Sequence, residues 1–301
     1  MVHRGALSEC VINISEGRDR AVIDAVSAAG ADSVLDVHSD PEHHRSVLTL
    51  GGPLEVVEES ARQVVAAAVS LIDLRTHAGI HPRLGAVDVV PFVPLPDPLS
   101  PTPSLRPDVL GARDRLAEWA GTELGLPCFL YGPERTLPDV RRLAFESLPP
   151  DTGPAVPHAT AGAVAVGARR VLVAYNLWIA GPDDRDPVDR RDHALGVARS
   201  LAAKLRGPAV RALGLPIEAG AQVSINLIDP ASVPLPSLYD TVAGGAESRG
   251  CSVLRAELVG LVPALVLDQV PRHRWSDLDL SPDRTVEGRM QARGYPRTGG
   301  G

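Results

Sequence analysis

The chain has 301 residues, a formal net charge of −7, 44% hydrophobic residues and only 3% aromatics, enough apolar material for aliphatic cores built of small side chains. The acidic balance, with no Lys/Arg run beyond short pairs such as Arg169-Arg170, argues against nucleic acid as a partner. No stretch approaches a membrane span and no leader pattern precedes Cys10, while three scattered cysteines, Cys10, Cys128 and Cys251, fit a reducing cytoplasm better than a disulfide framework or a metal knuckle.

The segment SECVINIS at 8–15 alternates as a strand, and the stretch 17–30 follows with Val22, Ile23 and Val26 on one helical face and Gly30 as its stop. Two strand-like runs, 33–39 and 45–52, flank the polar DPEHH. Pro53 then opens a helix whose Leu54, Val57, Ala61, Val64, Ala68 and Leu71 keep helical spacing, and 86–95 is a fourth strand. A Pro-rich connection at 94–107 leads to a helix over 108–125 and a short strand, CFLY. Residues 146–168, rich in Pro and Gly, read as a connector.

A second pass then begins. Residues 169–179 are strongly β in composition, and a helix over 190–207 carries Ala194, Val197, Ala198, Leu201 and Leu205 on one face. Strands at 209–217 and 221–229, a helix at 236–249 interrupted by Gly244-Gly245, and a strand at 252–261 complete it. The order β-α-β-β-α-β occurs twice, which predicts an α+β chain of two tandem ferredoxin-like subdomains, 1–166 and 167–280, with a flexible tail over 281–301.

The stretch HAGIHPRLGAVDVVPF at 77–92 raises the question of chemistry. Two histidines at i and i+4 ligate one metal ion only from a common helix face, and Gly79 and Pro82 both act against a helix there. No glutamate follows His77 to serve as a protease-type base. The expectation is therefore no metal. His38, His43, His44, Arg45, His77 and Arg83 all flank strands of one half, where loops gather around a cleft. Histidine can take and return a proton near neutral pH, and arginine can clamp a carboxylate, which suits transfer of a group between amines on a carboxylated substrate. Ordinary alternatives stand beside this: His81 as a turn residue under Pro82, Arg45 and Arg83 as ion-pair partners, and Asn13, Asp36 and Asn226 as strand polar groups bonded to backbone rather than lining a cleft.

ECVINISEGRD at 9–19, HRSVLTLGG at 44–52, IDLRTHAGIHPRLGAVDVVPFVP at 72–94, GARRVLVAYN at 167–176, QVSINLID at 222–229 and ELVGLVP at 257–263 together resemble, in the same order, the formiminotransferase domain of glutamate formiminotransferase. The resemblance spans roughly residues 8–270. It implies two related ferredoxin-like halves with a folate-binding cleft or tunnel between them, and tetrahydrofolate as co-substrate. It places the catalytic histidine, the one before Pro-Arg, on His81. It places the folate-contacting segment on Gly153, Pro154, Ala155, Val156, Pro157, His158, Ala159, Thr160, Ala161 and Gly162. His77, Arg45, Arg83, Asn13, Asp36 and Asn226 are then the candidates for substrate binding.

The reaction so implied moves a formimino group between formiminoglutamate and tetrahydrofolate, with His81 passing the proton from one nitrogen to the other. The partners implied are folate and formiminoglutamate or glutamate, with neither nucleic acid nor membrane, and the sequence leaves a homodimer open. Two positions depart from the family pattern: Ile80 stands where an acidic residue precedes the histidine, and Ala161 where a tryptophan precedes the last glycine. Those departures keep two alternatives in view, processing of another N5 one-carbon folate such as 5-formyl-tetrahydrofolate, and non-catalytic folate binding. The chain ends before the cyclodeaminase domain of bifunctional relatives would begin.

Overall fold

The computed structural model describes residues 6–78, 83–95, 105–184 and 186–295, which form two compact units. The first takes the chain as far as Arg170 and regains it from Met290; the second runs from Val171 to Arg289.

In the first unit the order is β1 (Leu7–Ile14), α1 (Arg20–Ala29), β2 (Val34–Asp40), β3 (Arg45–Pro53), α2 (Leu54–Leu71), β4 (Val87–Pro94), α3 (Pro107–Glu123), β5 (Cys128–Tyr131), α4 (Leu137–Leu143) and β6 (Val164–Ala168). Asp19 caps α1 by accepting from the backbone N–H groups of Ala21 and Val22, and Gly30 follows its last turn. The sheet order is β2-β3-β1-β4-β6-β5. Its first four strands pair antiparallel in the ferredoxin-like order; β6 then extends it parallel to β4, and β5 parallel to β6.

Strand alternation gives the sheet two different faces. Cys10, Ile12, Leu48, Leu50, Val90 and Phe92 point to the side where Val57, Ala61, Val64, Val65 and Ala68 of α2, and Ala112, Leu116 and Ala120 of α3, close an aliphatic core. Burying a valine or leucine there contributes about 1.5–3 kcal/mol, so this face carries most of the unit's stability. The opposite face bears a row that crosses all six strands, His38, Val47, Asn13, Val89, Ala165 and Phe129.

The second unit comprises β7 (Val173–Ala180), α5 (Pro187–Leu205), β8 (Val210–Ile217), β9 (Gly220–Leu227), α6 (Leu235–Glu247), β10 (Ser252–Val259) and α7 (Ala264–Asp268). Its sheet, β10-β7-β9-β8, is antiparallel throughout and has the same ferredoxin-like order. Asp186 caps α5 through the N–H groups of Val188 and Asp189, and Ala194, Ala198 and Leu201 pack on the sheet.

Three readings of the sequence are corrected. Residues 146–168 are not merely a connector: they end in β6, which pairs between β4 and β5. Gly244-Gly245 does not interrupt α6, because Gly245 is where α6 meets α5, and a Cβ there would stand 2.5 Å from Leu201 Cδ2. The stretch after 280 is not all loose; it contains α8 (Val286–Ala292), with Val286 and Met290 buried.

Candidate functional site

The loop leaving β1, Ser15-Glu16-Gly17, meets the turn between β2 and β3 at Gly17. A Cβ on Gly17 would lie 2.3 Å from the Asp40 carbonyl oxygen and 2.5 Å from the Arg45 nitrogen, so only glycine permits this approach. Ser46 Oγ donates to the Glu16 carbonyl at 2.6 Å, fastening loop to strand. Asp40 builds the turn itself: Oδ1 accepts from the N–H groups of Glu42 and His43, each at 2.9 Å, and Oδ2 lies 2.5 Å from His43 Nδ1. Burial opposes ionisation of Asp40, but the bonds from His43 and Glu42 outweigh it and hold the carboxyl at about 2.

The next residue, His44, adopts φ = 52°, an uncommon conformation for a residue other than glycine. Its ring stacks on that of His77 with centroids 4.0 Å apart and planes 28° from parallel. His44 Nδ1 accepts from the Gly17 N–H at 3.2 Å. His77 Nε2 lies 3.3 Å from the His44 carbonyl oxygen, and Arg83 Nη1 reaches both His77 ring nitrogens, Nδ1 and, at 2.7 Å, Nε2. Both imidazoles sit below the ordinary histidine value. Burial is the main cause for each; His77 adds to it for His44, and Arg83 for His77. His44 Nδ1 also lies 3.3 Å from Glu16 Oε1, whose charge acts in the opposite sense.

Ser15, His43, His44, Arg45, Arg83 and Asp88 line a small recess of about 10 Å³, room for roughly one water molecule. Asp88 is 3% exposed. It accepts from the Leu84 N–H at 2.8 Å and from Arg141 of α4 at 2.5 and 3.1 Å, which ties the segment after Arg83 to the sheet. Guanidinium and imidazole groups gathered at its rim are the side chains that bind carboxylates and exchange protons.

Of the residues singled out from sequence, Arg45 and Arg83 line this recess and His77 is bonded to Arg83. Asn13 and Asp36 lie on the face of the first sheet that α2 and α3 leave uncovered, with Asn13 Nδ2 3.3 Å from the Val11 carbonyl, as an ordinary strand polar group would be. Asn226 lies on β9 of the second unit, exposed and paired with Ala174 and Arg211. His81 and Ile80 lie outside the described residues. The segment 153–162 folds against the first unit. The Thr152 carbonyl accepts from Cys128 N–H, that of Thr160 from Leu74 N–H and that of Ala161 from Ala86 N–H. His158 Nδ1 closes a turn by accepting from the N–H groups of Thr160 and Ala161. Val156 is 68% exposed.

Sequence reasoning missed Ser15, Glu16, Gly17, Asp40 and Asp88. Their signal lay in adjacency alone: SEG and DPEHHR both abut strands that pair in the sheet. Among the described residues no group of three or more His, Cys, Asp or Glu is arranged to hold a metal ion. Among them, too, no helix is long and apolar enough to cross a membrane.

Residues 7–169 match the formiminotransferase domain, N-terminal subdomain, and residues 189–277 match the formiminotransferase domain. The glutamate formimidoyltransferase of Streptococcus pyogenes serotype M1 is 35% identical over 291 residues, covering 88% of this chain and 92% of the relative. That of Thermoplasma acidophilum is 34% identical over 295 residues, covering 89% and 92%. The formimidoyltransferase-cyclodeaminase of Rattus norvegicus is 36% identical over 292 residues, 87% of this chain but 51% of that protein. Matched in order through both units, and along nearly the whole length of two relatives, this chain belongs to the formiminotransferase family.

Proposed function

We propose that this chain is a glutamate formimidoyltransferase, moving the formimino group of formiminoglutamate to N5 of tetrahydrofolate. The observation that carries the reading is the full-length match to relatives of that name, in a chain whose first unit gathers His44, His77, Arg45 and Arg83 about one recess. In the reaction N5 attacks the amidine carbon, its proton leaves, and the tetrahedral intermediate expels the glutamate amine, which must gain a proton. A histidine between the two nitrogens can do both, a contribution of about 10²–10⁴-fold. His81 is assigned that part, and Arg45 and Arg83 the substrate carboxylates. The segment 153–162 takes the folate, which is a co-substrate here; no step requires a metal. A cytoplasmic setting suits three buried cysteines.

The test is purified protein with tetrahydrofolate and formiminoglutamate, following 5-formimino-tetrahydrofolate and glutamate. His81→Asn should abolish most turnover and leave folate affinity within a few fold, since the lost interaction belongs to the transition state. Full activity in that variant would end the shuttle. Folate binding without turnover by the wild-type protein would end the transferase reading, and turnover of 5-formyl-tetrahydrofolate instead would replace it.

A further inference from the structure

Phe145, two residues beyond α4, has φ = 61°, a backbone conformation that is an outlier for a bulky side chain. The turn it occupies is closed by its own N–H to the Leu148 carbonyl and by the Leu148 N–H to the Leu143 carbonyl, both at 3.0 Å. Glycine or asparagine would serve that turn without crowding. What phenylalanine adds is a ring, and the ring is not fully buried: Phe145 is 36% exposed. It rests against buried Phe129 in an edge-to-face arrangement, centroids 5.0 Å apart and planes at 87°. Strain held at a partly open aromatic calls for a use other than packing.

Its surroundings say what use. Phe129 ends the row that crosses the face of the sheet opposite α2 and α3, and it packs in one cluster with Ala163 and Leu84. Ala163 directly follows Gly162, and Leu84 directly follows Arg83, so the cluster joins the end of the 153–162 segment to the recess. The Ala163 N–H donates to the Leu84 carbonyl at 3.0 Å, which locks the two strips together. Arg141, in the helix that leads to Phe145, is bonded to Asp88 of the recess. Within 153–162 itself the one aromatic ring is the His158 imidazole, whose Nδ1 closes the turn at Thr160 and Ala161, and Ala161 is buried.

We propose that Phe145 is a folate-contacting residue, its exposed side stacking on a planar ring of tetrahydrofolate and setting affinity for that co-substrate. This rests on the folate reading above. The test uses the full chain with Phe145→Gly, Phe145→Leu and Phe145→Tyr, measuring KM for each substrate, kcat and thermal unfolding. Phe145→Gly removes strain and ring together, so KM for tetrahydrofolate should rise several fold while Tm does not fall. Phe145→Leu keeps apolar bulk without a flat surface and should show the same rise; Phe145→Tyr should restore the wild-type value. KM for formiminoglutamate and kcat should stay within twofold in all three. An unchanged KM for tetrahydrofolate in Phe145→Leu would overturn the proposal, and so would equal losses for both substrates accompanied by a lower Tm. If the wild-type protein shows no transfer at all, the transferase reading fails separately. Calorimetric titration of wild type and Phe145→Leu with 5-formyl-tetrahydrofolate then decides the contact, equal affinities refuting it.

Discussion

Asp40 tests whether the turn that presents His43, His44 and Arg45 is held electrostatically. Its carboxyl is lowered from an ordinary 3.8 to about 2, and its side chain is 14% exposed. At about 1.4 kcal/mol for each pH unit the lowering is worth at most about 2.5 kcal/mol, and solvent reaching the turn reduces this to roughly 1–2 kcal/mol. Because the folded value lies below the unfolded one, the contribution is complete above the unfolded value. It is lost as pH falls from there through about 2. Asp40→Asn keeps an oxygen for the N–H groups of Glu42 and His43 but removes the charge facing His43 Nδ1. Urea unfolding should show it roughly 1–2 kcal/mol less stable at pH 7 and at pH 5, with the gap to wild type narrowing below about pH 4. A gap that is absent at pH 7, or one that persists unchanged to pH 3, refutes the assignment of the lowered carboxyl to this turn.

Gly17→Ala should cost about 1–3 kcal/mol and most of the activity by forcing the β1 loop off the turn, whereas Gly244→Ala, with no atom within 4 Å of its new Cβ, should stabilise by about 0.5–1 kcal/mol; chemical denaturation of both variants checks the contrast. His44 and His77 are lowered in the fold, so the unfolded chain binds more protons just below 6.5 and stability should fall as pH drops through that value. His77→Gln, which can still accept from Arg83 and donate to the His44 carbonyl, should flatten the dependence of Tm on pH between 7 and 5; an unaltered slope would contradict it. Burial raises the thiols of Cys10 and Cys128, the latter to about 12, so the three cysteines should react with a disulfide reagent only after denaturant is added.

The long elements were legible because their periodicities are strong and their punctuation is physical. Asp19 and Gly30 bound α1, and the core positions of α2 keep helical spacing over 18 residues. What escaped was short. β6 has five residues of small side chains, VAVGA, and is a strand only because β4 and β5 flank it. α4 has seven, although Thr136 and Asp139 spell out a capping box ahead of it. Gly245 reads as a breaker in the sequence, while in the fold it is the contact that lets two helices approach.

The site was less legible than the fold, for a reason visible in comparing the two units. Both have the strand order of a ferredoxin-like sheet, so topology alone does not distinguish them. In the first, β2 and β3 are joined by Pro41–His44, long enough to carry two histidines and to receive the β1 loop at Gly17. In the second, β8 and β9 are joined by Glu218-Ala219, a two-residue hairpin with no room for such a turn. The candidate site therefore lies in connections whose partners are about 30 residues apart in sequence, Glu16 with His44 and His44 with His77. Periodicity reports burial and is silent about such meetings, which arise only when antiparallel pairing brings the ends of β1 and β3 together.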